Sequence, residues 1–276
     1  MDDTNLLRYS RQIMLPELDI AGQEKLLNAK VLVIGMGGLG CPVALYLSTT
    51  GVGELILADD DQVEISNLQR QIAHFHKSIG MNKAKSAAST LMKLNPNQRT
   101  KLIDRRISSS DLEKHLPFID LVIDCTDNLE GRYLINQCCW EHCTPLISGA
   151  AIRWEGQVSV FDSSVTNSPC YQCLYPKETN LNETSQSCSE NGVVSPLVGI
   201  IGSTQAMEAI KVITGIGQSL VGKVAYYDAK QNEWKKFTLS KSPDCPKSLT
   251  PKGKTLCPLT DPIQACLLYT SDAADE

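Results

Sequence analysis

Residues 30–61 read KVLVIGMGGLGCPVALYLSTTGVGELILADDD, and the fold class turns on them. Val31 to Ile34 is a short, β-branched, wholly apolar run, the pattern of a strand buried on both faces, and it stops at Gly35. A glycine-rich turn follows, with Gly35, Gly37, Gly38 and Gly40, and then an apolar segment of helical character from Val43 to Ser48. A Cβ in such a turn keeps the backbone away from a phosphate, and the helix that opens after it points unpaired N–H groups and its positive dipole end at an anion. Glu54 to Ala58 reads as a second apolar strand, ending at Asp59, where a carboxylate can accept hydrogen bonds from ribose hydroxyls. Taken alone, the pattern leaves two readings open: a nucleotide site, or a glycine turn that packs a helix on a strand.

Further along, Asp61 is followed by Ser66-Asn67-Leu68-Gln69-Arg70, small polar groups and an arginine beyond the carboxyl end of a strand, where doubly wound sheets bind ligands. An isolated loop arginine is equally at home in water. Asn82 reads as the N-cap of a helix from Lys83 to Leu94. The helix dipole disfavours a lysine in that first turn, so Lys83 either faces a bound polyphosphate or points to solvent. A strand near Lys101–Ile103, a helix near Ser109–Leu116 and a third apolar strand, Asp120–Asp124, follow, the last running into Cys125-Thr126-Asp127-Asn128. Asp127 then stands beside the crevice. Strands alternating with helices through residue 148 predict a Rossmann-like, mostly parallel sheet with helices on both faces. Beyond residue 150 the pattern changes to antiparallel strands at Gly156–Phe161, Val224–Tyr227 and Glu233–Leu239, with a loop-rich stretch over Asp162–Glu190 and a buried helix over Ser195–Thr214. Toward the beginning, Asn5–Ile13 carries Arg8 and Arg11 among apolar residues, and Asp19–Asn28 reads as a helix capped by Asp19.

Composition is that of an ordinary globular protein: 276 residues, 42% hydrophobic, 21% charged, net charge −5. That balance leaves no electrostatic footprint for nucleic acid or an anionic membrane. No apolar run comparable to the about 18 residues of a membrane-spanning helix stands out, and the polar, acidic start is unlike a secretory signal, so a cytoplasmic location is expected. Eleven cysteines without an export signal point to metal or thiol chemistry rather than disulfides. Cys170-Tyr171-Gln172-Cys173 is a CxxC whose two thiolates can share one tetrahedral zinc. Cys245 and Cys257 are the later candidates, with Ser248 where a second CxxC needs a cysteine; a complete site using Cys257, an incomplete site and a redox pair all remain open. Cys188 lies in the polar loop SQSCSENG just before a helix, where a thiol pKa can be lowered; the bland reading is a loop cysteine without chemistry. Cys41, Cys125, Cys138, Cys139 and Cys143 read as small buried hydrophobes.

The stretches RYSRQI (8–13), GMGGLG (35–40), ADDD (58–61), SNLQRQ (66–71), DCTDN (124–128), SGAAIRWEGQ (148–157), CYQC (170–173) and GIIGSTQAMEAIK (199–211) together resemble the E1-like MoeB/ThiF family of adenylyltransferases. The resemblance runs over residues 5–248 and implies one ThiF-type domain, with a nucleotide half at about 5–150 and a carrier and zinc half at about 151–248. Residues 249–276 then form an irregular tail, whose CLLYTSDAADE end resembles translated vector sequence. The implied activity is ATP-dependent adenylylation of the C-terminal glycine of a small ubiquitin-like sulfur carrier, MoaD or ThiS, in molybdopterin or thiazole synthesis, by a homodimer using magnesium, with a sulfurtransferase as a further partner. RYSRQI and ADDD lean to ThiF, SGAAIRWEGQ and QAMEAIK to MoeB. Carried over by position, Gly38 lines the nucleotide pocket, Asp59 holds the ribose, and Asn67 and Arg70 meet the phosphates with Lys83; Gly35, Gly37, Gly40, Asp61, Ser66 and Asn128 complete the nucleotide set. Asp127 holds magnesium, Arg11 reaches the phosphates from the partner subunit, Cys170, Cys173 and Cys245 bind zinc, and Cys188 matches the cysteine that in some members links to the carrier. The rival classes are a nicotinamide-dependent oxidoreductase, which leaves SNLQR, Asp127 and the CxxC unexplained, and a non-catalytic scaffold of the same fold.

Overall fold

The structure is a computed structural model that describes residues 1–176, 192–243 and 245. Cys188, Ser248, Cys257 and the tail lie outside the described residues. The chain opens with α1 (Asp3–Arg8), α2 (Ser10–Ile13) and α3 (Asp19–Asn28), then β1 (Lys30–Ile34), α4 (Gly40–Thr50) and β2 (Glu54–Ala58). Next come α5 (Lys83–Leu94), β3 (Arg99–Ile103), α6 (Ser109–His115), β4 (Leu121–Asp124), α7 (Leu129–Glu141), β5 (Leu146–Ile152) and β6 (Glu155–Phe161). The described part ends with α8 (Tyr171–Leu174), α9 (Ser195–Thr214), β7 (Lys223–Asp228) and β8 (Glu233–Thr238).

Among the described residues these strands form one sheet in the order β3-β2-β1-β4-β5-β6-β7-β8. From β3 to β5 neighbours are parallel; from β5 to β8 they are antiparallel, so both halves of the expected architecture share one sheet. Period-two alternation sorts each central strand between two cores. Val31, Val33, Leu55, Leu57, Leu121 and Ile123 face a core built with α4, α5 and α9, whereas Leu32, Ile34, Ile56, Ala58 and Val122 face one built with α6 and α7. Burial on both faces is why these strands read as unbroken apolar runs.

The breaks between strands follow local chemistry. α4 ends at Gly51, which takes a left-handed φ of 93°. Asn82 caps α5, its side chain accepting from the Lys85 N–H, as the sequence predicts, and Asn128 caps α7 by accepting from Gly131 N–H. Asp19 does not cap α3: Leu18 holds the N-cap position, and Asp19 is the first helical residue with φ of 50°. The segment Asn5–Ile13 is two helices broken at Tyr9, whose ring is buried and whose hydroxyl accepts from Asn95 Nδ2. Within the loop-rich stretch the one-turn helix α8 carries the CxxC. α9 meets the length and hydropathy of a membrane span, which the sequence reading did not anticipate, but half of its apolar window is buried, packed on α4, β5 and β6 as a core helix.

Candidate active site

Where β1, β2 and β4 end, an open crevice of about 930 Å³ forms. It lies at the point where the parallel order reverses direction, β2 and β3 on one side of β1 and β4 on the other, the place where doubly wound sheets bind ligands. Gly35, Gly37 and Gly38 line it. Gly35 has a φ of 92°, and a Cβ there would lie 2.8 Å from the Cys125 carbonyl oxygen, so the turn out of β1 requires glycine. Gly40 is not among the residues lining the crevice; a Cβ there would stand 1.8 Å from Gly35 oxygen, so glycine is required where the turn closes on itself.

Asp59 lies on the β2 side of the crevice. Its Oδ2 accepts from Met36 N–H at 2.6 Å and its Oδ1 from Asp61 N–H at 2.8 Å, tying the acidic corner to the glycine turn. Burial pushes its carboxyl above the usual range, and those two N–H groups together with Lys83 offset part of the rise. Lys83 does not point to open water. It is buried, and Nζ pairs with Asp61 Oδ2 at 2.6 Å. Asn67 is buried in a 3₁₀ turn, where its Oδ1 accepts from Glu64 N–H, and Arg70 lines the crevice with Nη1 donating to Ser66 oxygen at 3.2 Å. Ser66 itself does not line the crevice; its hydroxyl donates to the Glu64 carboxylate. Asp127 and Asn128 line the far wall, Asp127 exposed past the end of β4. Arg11 is exposed on α2 and does not reach this crevice within one chain.

The three expected cysteines meet although 75 residues of sequence separate Cys170 from Cys245. Cys170 Sγ lies 3.8 Å from Cys173 Sγ and 3.7 Å from Cys245 Sγ, beside the buried Trp140 ring. Zinc–sulfur bonds of about 2.3 Å place tetrahedral sulfurs about 3.8 Å apart, the spacing of those two pairs, and all three Sγ atoms lie within 4.8 Å of one another, a group that could hold a metal ion. Burial pushes the Cys170 thiol up and Cys245 up to about 12, while N–H groups of Ser242 and Cys170 overcome burial at Cys173 and leave it lowered. Burial thus resists three thiolates side by side without a cation to neutralise them. Cys41, Cys125, Cys138 and Cys139 are buried as expected, whereas Cys143 is only half-buried.

The profile of the ThiF family matches residues 9–247. The chain belongs to the ThiF family. Among its curated relatives, the molybdopterin-synthase adenylyltransferase of Salmonella typhimurium is 44% identical over 245 residues, covering 89% of this chain and 97% of that protein. The sulfur carrier protein ThiS adenylyltransferase of Escherichia coli is 41% identical over 246 residues, covering 89% and 96%. Of solved structures, Escherichia coli MccB with ATP matches at a TM-score of 0.73 and 26% identity, covering 87% of this chain and 73% of that one. A longer relative, the adenylyltransferase and sulfurtransferase MOCS3 of Dictyostelium discoideum, is 43% identical over 222 residues, 52% of its own length.

Within this ThiF-family crevice, two residues escaped the sequence reading. Arg132 is buried on α7 and donates to Gly149 oxygen at 2.9 Å and to Thr126 oxygen, with Nε 3.9 Å from Asp124 Oδ2. Asp124 in turn accepts from Thr126 N–H and Oγ1 and from Ser148 Oγ, so the loop carrying Asp127 is pinned from beneath. The available signal was the one basic residue of α7, four residues after its N-cap. Gln71 is 97% buried on the crevice wall, with Oε1 unpartnered among the described residues, and the motif ending SNLQRQ was the cue.

Proposed function

We propose that this protein uses Mg-ATP to adenylylate the C-terminal glycine of a small ubiquitin-like sulfur carrier of the MoaD or ThiS type, releasing pyrophosphate. The observation that carries the reading is the meeting of Asp59, Arg70, Lys83 and Asp127 on one crevice at the strand ends, beside a turn that needs glycine. The carrier carboxylate attacks the α-phosphorus; the new carboxyl–phosphorus linkage forms as the bond to the bridging oxygen breaks, and pyrophosphate leaves. Two anions must approach, so catalysis is chiefly positioning and charge stabilisation. Arg70 and Lys83 supply fixed positive charge, and Asp59 orients the ribose. No base is needed, because the attacking carboxylate is already ionised at neutral pH.

Asp127, an exposed carboxylate on the same wall, fits a hard cation that keeps most of its waters. Magnesium held there supplies charge neutralisation for the leaving pyrophosphate. Arg11 acts from a second copy of the chain in a homodimer, and the cysteine trio holds structural zinc. Cys188, outside the described residues, serves only a later transfer of sulfur, in which a sulfurtransferase takes part.

Carrier-dependent exchange of labelled pyrophosphate into ATP, run beside a nicotinamide titration, tests the reading. Arg70→Ala is expected to lower exchange by about 10²–10³, the usual cost of one electrostatic stabiliser. Absence of exchange with both carrier types, or full exchange in Arg70→Ala, overturns it.

A further inference from the structure

The glycine turn is held from behind by a histidine. His74 is 5% exposed, and its ring nitrogens reach two elements: Nε2 lies 2.9 Å from the Met36 carbonyl oxygen and Nδ1 lies 2.9 Å from Ser86 Oγ on α5. A carbonyl only accepts, so Nε2 carries the proton, and the neutral ring accepts at Nδ1 from the Ser86 hydroxyl. Burial holds His74 below the ordinary histidine range and favours that neutral form. Cys41 Sγ adds a weak second donor to the same carbonyl at 3.4 Å. From the other side, Met36 N–H donates to Asp59 Oδ2 at 2.6 Å. Met36 is therefore clamped at both its peptide groups.

The clamp has a geometric consequence. The described peptides are trans, and in a planar trans peptide the carbonyl of one residue and the N–H of the next point in opposite directions. With the Met36 carbonyl turned inward to His74, the Gly37 N–H turns outward, toward the crevice that Gly37 lines. Among the described residues that N–H has no hydrogen-bond acceptor. His74 also sits in the connection that carries Arg70, and Ser86 on the helix that carries Lys83, so one ring ties together three elements that face the crevice.

We infer that His74 is a positioning residue for nucleotide binding, which through its bond to the Met36 carbonyl sets the Met36–Gly37 peptide so that Gly37 N–H is presented to a nucleotide phosphate. The inference rests on the nucleotide reading of the crevice. It differs from a core-filling histidine in what it demands: a donor at Nε2, not merely volume.

The test is an ATP titration of protein labelled with ¹⁵N in glycine, for wild type, His74→Leu, His74→Gln and Ser86→Ala, with pyrophosphate exchange measured in parallel. Leucine fills the space without a donor, whereas a glutamine amide reaches where Nε2 stands. In the wild type the Gly37 amide resonance moves on ATP addition. In His74→Leu the Kd for ATP rises by about five- to tenfold, the factor of one neutral hydrogen bond, with KM for ATP changed more than kcat. His74→Gln recovers most of that loss. A His74→Leu variant that melts lower but keeps the wild-type KM for ATP overturns the inference, and so does a folded His74→Gln that binds ATP as poorly as His74→Leu. Should His74→Leu not fold, Ser86→Ala decides: losing the donor that fixes the tautomer is expected to weaken ATP binding by about two- to threefold, and unchanged affinity overturns the assignment. A wild type that binds no ATP defeats the nucleotide reading itself, a different result from a wild type that binds and a variant that binds equally.

Discussion

Lys83 Nζ and Asp61 Oδ2 stand 2.6 Å apart, a buried ammonium beside a carboxylate that is two-thirds exposed. In this arrangement the carboxylate neutralises the lysine, and a phosphate group entering the crevice competes for the same charge. Asp61→Asn leaves the ammonium without its counter-charge. Because one member is largely solvated, the loss is expected to be about 1 kcal/mol, or a melting temperature lower by about 2–4 °C. ATP then takes over the role of the carboxylate, so ATP is expected to raise the melting temperature of Asp61→Asn by more than that of the wild type. Equal ATP-induced shifts in a thermal melt would show that Lys83 does not exchange Asp61 for phosphate.

Arg11 is exposed on α2 and absent from the crevice of its own chain, while Asp127 lines that crevice. If Arg11 serves a second copy, Arg11→Ala and Asp127→Ala each abolish exchange alone, yet a mixed dimer contains one site with both wild-type groups. Mixing the two inactive variants under conditions of subunit exchange is expected to restore up to about a quarter of the wild-type rate, from random assortment of subunits into sites held across the dimer. Failure to regain any activity while mass spectrometry shows mixed dimers defeats the assignment in trans.

How much of this was legible beforehand depends on range. Val31–Ile34 and Glu54–Ala58 read correctly because a strand buried on both faces has an unbroken apolar signature, and Asn82 read correctly as a cap because its partner, Lys85 N–H, is three residues away. The failures are contacts that local pattern cannot encode. The partner of Lys83 lies 22 residues back, that of His74 lies 38 residues back, and Arg132 reaches the Gly149 carbonyl 17 residues on. Gly40 is a subtler case: the close approach of the Gly35 carbonyl already requires glycine there, a contact five residues back that the motif alone does not reveal. Asp19 had the right chemistry for a cap, yet the chain entering from Leu15 closes hydrogen bonds to both Leu18 and Asp19 N–H and makes Asp19 the first helical residue instead.

The cysteine trio gives a prediction independent of catalysis. Three sulfurs within 4.8 Å of one another, two of the pairs at the tetrahedral spacing, with burial opposing ionisation at Cys170 and Cys245, are expected to hold close to one zinc per chain by elemental analysis of protein purified without chelator. Cys245→Ser is expected to lose most of that metal and to melt at a lower temperature, because the metal ties Cys245, 75 residues on, back to α8. Zinc content well below one in the wild type, or an unchanged melting temperature after chelation, contradicts a structural metal there.

The last prediction concerns acid. Burial, more than the nearby Lys83 charge, holds His74 below its ordinary value, while the Met36 carbonyl acts in the opposite sense. An unfolded histidine titrates near about 6.5. Between that value and the lowered folded one, the unfolded chain binds a proton that the folded chain refuses, and stability then rises with pH. The contribution of His74 is therefore fully present above about 6.5 and is lost as pH falls toward the folded value, at no more than about 1.4 kcal/mol per pH unit. Asp59 has the opposite sign: burial raises its folded pKa, so the folded state binds its proton more tightly and gains stability as pH falls through that raised value. Urea unfolding of wild type and His74→Gln at a series of pH values separates the histidine, because His76, His115 and His142 are common to both proteins and cancel in the difference. The wild type is expected to lose stability relative to His74→Gln as pH falls below about 6.5. Parallel curves through that range would mean that His74 takes up its proton as readily in the fold as outside it, and the neutral donor behind the glycine turn would then have to be abandoned.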